Sequence, residues 1–140
     1  MNKPRIVLDT NCLISGVLTN GYSRQILKLF IAEKITILYS KEIAVEYKRA
    51  ISSDKIMKLT GLTREELLHT VLHIEYFSES VDVTSSFNEC RDATDNKFLN
   101  CAVDGAANFI ISKDKDLLVL SPFQGIPILD DKQFLNHFDT

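Results

Sequence analysis

Five acids stand where they could share one task. Asp9 ends the apolar run Ile6-Val7-Leu8, and Asp114 and Asp116 follow another such run within Ser112-Lys113-Asp114-Lys115-Asp116. Glu46 and Asp95 lie inside helical patterns. Carboxylates gathered closely cannot all stay ionised without a counter-charge. Hard oxygen donors with no His or Cys among them suit Mg2+ or Mn2+, as one ion or two. Such ions activate water and stabilise charge on phosphate oxygens during hydrolysis.

For that chemistry the acids must meet, so the elements that carry them decide the case. A short continuous apolar run such as Arg5-Ile6-Val7-Leu8 predicts a strand buried on both faces. Ile35-Thr36-Ile37-Leu38-Tyr39 and Phe109-Ile110-Ile111-Ser112 predict two more, and Ile126-Pro127-Ile128-Leu129 an edge strand, where proline is tolerated. Between them lie helical patterns. Ser23 is expected to cap one carrying Ile26, Leu27, Phe30 and Ile31, and Ser40 one carrying Ile43, Tyr47, Ala50 and Ile51. Gly61 ends a polar helical piece. Thr63-Arg64-Glu65-Glu66 has capping-box spacing for the next, with Leu67, Leu68, Val71, Leu72 and Ile74. Residues 81–88 read as a loop with a short extended piece, 94–107 as a helix, 117–120 as a short helix stopped at Pro122, and 131–138 as a closing helix.

Strands alternating with helices predict an α/β protein, a single domain over residues 1–140, with a mainly parallel sheet covered on both faces. In such sheets ligands bind beyond the carboxyl ends of the strands, where Asp9, Asp114 and Asp116 would lie. Asp95 shares a face with Phe98, Leu99, Ala102 and Ala106, the stripe that should face the core. An ionised carboxylate there is costly unless something compensates it. Glu46 sits at the edge of its helix's apolar stripe and could overlook the same crevice.

Each acid also has a plainer role open to it. Asp95, with Asp92, could satisfy helix N-terminal donors; Asp114 and Asp116 could be turn residues; Glu46 could pair with Lys48 or Arg49. His69 and His73 have a chelating spacing, but Thr70 stands where HExxH needs its glutamate. No glycine-rich phosphate loop and no nucleophile elbow is present. The three cysteines, Cys12, Cys90 and Cys101, lack CxxC spacing and read as reduced thiols in a cytoplasmic protein. No run is long enough to span a bilayer and no signal peptide is expected. The net charge of −3 argues against a nucleic-acid partner only at face value, because acids that hold metal would be neutralised. Arg24, Lys28, Lys48, Arg49, Lys113 and Lys115 remain as possible phosphate contacts.

Together, Ile6-Val7-Leu8-Asp9-Thr10-Asn11, the Glu46 helix, Arg91-Asp92-Ala93-Thr94-Asp95-Asn96-Lys97-Phe98-Leu99 and Ser112-Lys113-Asp114-Lys115-Asp116-Leu117-Leu118 resemble a PIN domain. Within that family the chain is similar to the VapC-like toxin components of toxin–antitoxin systems. The resemblance extends to Gly21-Tyr22-Ser23-Arg24 and Phe123-Gln124-Gly125-Ile126-Pro127-Ile128-Leu129, and so to essentially the whole chain. It implies a three-layer α/β/α fold and a Mg2+- or Mn2+-dependent ribonuclease cutting single-stranded RNA. Asp9, Glu46, Asp95 and Asp114 match the family's acidic quartet and Asp116 its frequent fifth acid. Asp9, Asp95, Asp114 and Asp116 would then hold metal, with Glu46 ligating a second ion or positioning the attacking water, while Asn11 and Ser112 orient the ligands. Arg24, Lys48 and Lys113 would contact RNA. The resemblance also implies a homodimer and an antitoxin that places a basic residue in the acidic pocket.

The chain departs from the family pattern where Lys113 replaces a common glycine, Ala93-Thr94 a common Pro-Asp, and Asp130-Asp131 a common Thr-Pro. Lys113 could therefore pair with a carboxylate and weaken metal binding. Two other functions stay open. One is a PIN scaffold that binds RNA or a partner without cutting. The other is a receiver- or phosphatase-like domain using Asp9 as phosphoryl acceptor, although Asn11 stands where such a phosphatase needs a second Asp.

Overall fold

The computed structural model describes residues 3–138. Its centre is β1 (Arg5–Leu8), whose side chains from Ile6 onward are fully buried. On one side β1 pairs in parallel with β2 (Thr36–Tyr39), and β2 with the short β3 (Glu79–Ser80). On the other side it pairs in parallel with β4 (Phe109–Ile111), and β4 with the edge strand β5 (Ile128–Leu129). The sheet order is thus β3-β2-β1-β4-β5. The chain leaves β1 in one direction and returns past it in the other, so β1 borders the topological switch point.

Right-handed crossovers then assign the layers. The helices α1 (Thr10–Leu18), α2 (Tyr22–Ile31), α3 (Lys41–Ile51), α4 (Asp54–Thr60) and α5 (Arg64–Phe77) belong to the β1-to-β3 side. Helix α6 (Asn96–Asp104) carries the return and packs on β1, β2 and β4. The one-turn α7 (Lys115–Leu118) joins β4 to β5, and α8 (Asp131–Phe138) closes against α2. The parallel sheet with helices on both faces is the three-layer α/β/α arrangement expected from the sequence.

Several local expectations need correcting. Helix α1 was not expected, because Thr10, Asn11, Ile14, Gly16 and Val17 are poor helix formers. It forms through tertiary contact. A β-carbon on Gly16 would lie 2.7 Å from Leu27 Cδ1 and 3.0 Å from the Ser23 carbonyl oxygen, so the missing side chain lets α1 approach α2. Ser23 does not cap α2, which starts from Gly21; it lies buried in the first turn and donates to Asp131 Oδ2 at 2.8 Å. Nor do residues 94–107 form one helix. A 3-10 turn, Ala93–Asp95, precedes α6, and the helix stops at Gly105, so Ala106 lies exposed beyond the buried stripe. The Ser40 cap, the Thr63–Glu66 capping box and the Gly61 stop all occur as the sequence implies.

Candidate active site

Asp9 follows the last residue of β1, and its amide donates to the Ile111 carbonyl at 3.0 Å, which ties it to the end of β4. It is also the N-cap of α1. One carboxylate oxygen accepts from the Cys12 amide at 2.8 Å, and the other accepts from the Ser112 hydroxyl. With 4% of its surface exposed, burial pushes its carboxyl up from the ordinary range, opposed by those two bonds. Beneath it, the buried Tyr47 hydroxyl donates to the Leu8 carbonyl and anchors α3 to the strand end.

Asp114 approaches from β4. Ser112 bridges the two acids, since its hydroxyl also accepts from the Asp114 amide at 2.9 Å. Asp114 caps α7 by accepting from the Asp116 amide at 2.9 Å. The two helix N-termini favour negative charge here.

Asp95 differs from both. Its neighbour Asp92 initiates the 3-10 turn by accepting from the Thr94 amide and hydroxyl at 3.0 and 2.7 Å. Asp92 thereby takes the capping duty, and Asp95, at the N-cap of α6, makes no capping bond. Its Oδ2 is buried and has no hydrogen-bond partner. Burial, the facing Asp114 carboxyl and the nearby charge of Asp92 push the Asp95 carboxyl up to about 7, with Lys97 opposing.

Glu46 reaches in from α3. Thr10 donates its hydroxyl to Oε2, and Lys97 places its ammonium 2.7 Å from Oε1. The partner of Glu46 is thus Lys97, not Lys48 or Arg49. Asp9, Thr10, Asn11, Glu46, Arg49, Thr94, Asp95 and Asp114 border a common cleft of about 440 Å³. That volume is within the range of small-ligand sites.

The other expected site residues fall elsewhere. Asp116 does not line the cleft, because two residues beyond Asp114 in a helical turn lie nearly on the opposite side. Asn11 lines it, but the hydroxyl that reaches an acid comes from Thr10. Arg24 donates to the Gly16 and Val17 carbonyls at 3.1 and 2.5 Å, satisfying the end of α1. Lys48 pairs with Glu75 at 3.1 Å, and Lys113 with Asp131 at 3.6 Å rather than with a cleft acid. Arg49 is exposed and on the cleft wall. His69 and His73 border an apolar groove between α2 and α5 that has no acid in its lining. Thr10 and Lys97 were missed. Lys97 carried a usable signal, two residues beyond Asp95, but only the meeting of α3 with α6 pairs it with Glu46.

In type, these residues fit a hard divalent cation. All the donors are carboxylate oxygens, and the buried Asp95 Oδ2 has no hydrogen-bond partner. Among the described residues, no three His, Cys, Asp or Glu side chains are yet gathered as a ligand cage. Asp95 and Asp114 are close enough to share a side-chain hydrogen bond, which favours the protonated form of Asp95.

A parallel α/β sheet with an acidic cleft at its switch point defines the class. The chain belongs to the PIN-domain family: the model described as "PIN domain" matches residues 5–116. PIN domains are in general nucleases, act on nucleic acids and usually use divalent metal ions, so this is a nuclease-type fold. The uncharacterized protein MJ1680 of Methanocaldococcus jannaschii is 36% identical over 119 residues, 84% of this chain and 76% of the relative. The crystal structure of PAE2754 from Pyrobaculum aerophilum superposes with a TM-score of 0.63 over 98% of this chain and 90% of that one. At 13% identity, that likeness concerns the fold alone. Among the described residues no helix is long and apolar enough to cross a membrane.

Proposed function

We propose that this chain is a metal-dependent endoribonuclease acting on single-stranded RNA. The observation that carries this is Asp95: an acid released from capping, with a buried oxygen that accepts no donor, in side-chain contact with Asp114 on a cleft that Asp9 also borders. Asp9, Asp95 and Asp114 would hold the Mg2+ or Mn2+ ion. Bound there, the ion supplies an activated water and stabilises charge on the phosphate.

The chain's own residues do the rest. Ser112 orients Asp9 and fixes the Asp114 backbone, while Thr10 and Lys97 fix Glu46 on the opposite wall. Glu46 positions the attacking water for in-line displacement. Arg49 meets an RNA phosphate at the rim of the cleft.

The test is cleavage of a mixed RNA pool by purified protein with Mg2+, with Mn2+ and with chelator, using Asp95→Asn as control. Metal-dependent cutting that disappears in the variant supports the enzyme. Equal cutting by both proteins sinks it, and metal or RNA binding without cleavage supports a scaffold instead.

The toxin assignment rests on the order of the acidic motifs and their resemblance to VapC-like chains. An adjacent small open reading frame whose product co-purifies and blocks cleavage would support it. Homodimerisation is supported by exposed Ile31, Leu72, Tyr76 and Phe77 on α2 and α5. Light scattering at micromolar concentration tests it.

A further inference from the structure

Of the acids bordering the cleft, Glu46 has an ammonium group on it. Lys97 Nζ lies 2.7 Å from Oε1, and the Lys97 side chain is 12% exposed. The ammonium also donates to the Thr94 carbonyl and stands 5.3 Å from the Phe98 ring centroid. The Thr10 hydroxyl occupies the other Glu46 oxygen. Asp95, by contrast, keeps an oxygen without a partner. A cation held against a carboxylate by this many contacts makes a second, divalent cation at the same oxygen unfavourable. Lys97 and Asp95 come from the same turn of chain, so placing Asp95 toward the cleft also places the ammonium on Glu46.

We propose that Lys97 is a positioning residue that withholds Glu46 from the metal, so that the cleft takes a single divalent ion on Asp9, Asp95 and Asp114. The inference rests on the metal-dependent function proposed above. It assigns Glu46 to the water side of the reaction and explains why this acid sits in the cleft already neutralised. Removing the ammonium would free a fourth carboxylate and open a place for a second ion.

Mn2+ binding, followed by the electron paramagnetic resonance of the free ion, reads this without any turnover. The full-length chain is expected to bind one Mn2+, with Glu46→Gln changing its affinity by less than about threefold, well short of the 1.4 kcal/mol that a tenfold change represents. Lys97→Met is expected to bind a second Mn2+, or the first about tenfold more tightly, and adding Glu46→Gln should abolish that gain. Lys97→Arg keeps the cation and should behave as wild type. Two ions in the wild-type protein, or an affinity loss of about tenfold or more in Glu46→Gln alone, would overturn the inference. Asp95→Asn separates the two levels. If it leaves Mn2+ binding intact, the metal site itself is misplaced; if it removes binding while Glu46→Gln removes as much, only the role of Lys97 fails. Should Lys97→Met not fold, Glu46→Gln and Lys97→Arg still decide.

Discussion

Helix α6 serves two sets of polar side chains, and they are treated in opposite ways. On one flank, Asn96, Asn100 and Asp104 succeed one another at turn spacing and hold the irregular segment 81–92. Asn96 accepts from the Cys90 amide at 2.9 Å, and Asn100 from the Phe87 amide at 2.7 Å. Asp104 accepts from the Thr84 and Ser85 amides at 2.7 and 2.8 Å and from the Ser85 hydroxyl at 2.5 Å. At the helix start, Asp95 faces Asp114 with an oxygen that nothing satisfies. Both Asp95 and Asp104 are aspartates on one short helix. The donors around Asp104 pull its carboxyl below the ordinary range, whereas burial and neighbouring charge push Asp95 up to about 7. Asp104 is satisfied by backbone donors and holds the loop, whereas Asp95 is not and borders the cleft.

The largest effect should come from breaking the unsatisfied member. Asp95→Asn is expected to lower metal-dependent cleavage by more than about a hundredfold, as befits a direct ligand rather than a supporting residue. It should leave thermal stability unchanged or raise it, because the variant removes a carboxyl whose ionisation burial and the neighbouring acids disfavour. A large fall in melting temperature would mean that Asp95 is architectural after all.

Ser112→Ala comes next. It removes the hydroxyl that joins Asp9 to the Asp114 backbone, and Mn2+ affinity should fall by about ten- to a hundredfold, as for other outer-shell partners.

Asp104→Asn should do the reverse of Asp95→Asn, lowering stability by about 1 kcal/mol, from the weakened charged hydrogen bonds, with metal affinity unchanged. Its pH signature follows from the lowered carboxyl. The stabilisation is present above the ordinary Asp value of about 3.9 and is lost as pH falls below that toward the folded-state value. Thermal melts between pH 3 and 6 should therefore converge for wild type and variant at the acid end. Divergence there would assign the effect to packing.

The smallest expected change is at the rim. Arg49→Gln should weaken RNA binding several-fold and reduce the salt slope by about one, with melting temperature unmoved. Fluorescence anisotropy at several salt concentrations measures both.

Much of this protein was legible in its residues. Short β-branched and apolar runs spaced between helical patterns favour buried strands, so the parallel α/β order and the placing of Asp9 and Asp114 beyond strand ends followed from local pattern. Capping chemistry is local too, and Ser40 and Thr63 cap as the sequence implies, whereas Ser23 is drawn off by Asp131, 108 residues away. Helix α1 was not legible, because its residues disfavour helix and only the approach at Gly16 pays for it. The duties of neighbouring acids were equally hidden. Asp92 and Asp95 are the same residue type three positions apart, and the 3-10 turn alone decides which one caps and which one faces the cleft. Asp114 and Asp116 are separated in the same way by one turn of α7. The pairing of Lys97 with Glu46 joins residues from α3 and α6, and nothing in either segment names the other. Sequence determined which side chains could do chemistry and at which end of the sheet. Tertiary structure decided which of them remain uncompensated, because compensation depends on distances between segments that the chain brings together only when it folds.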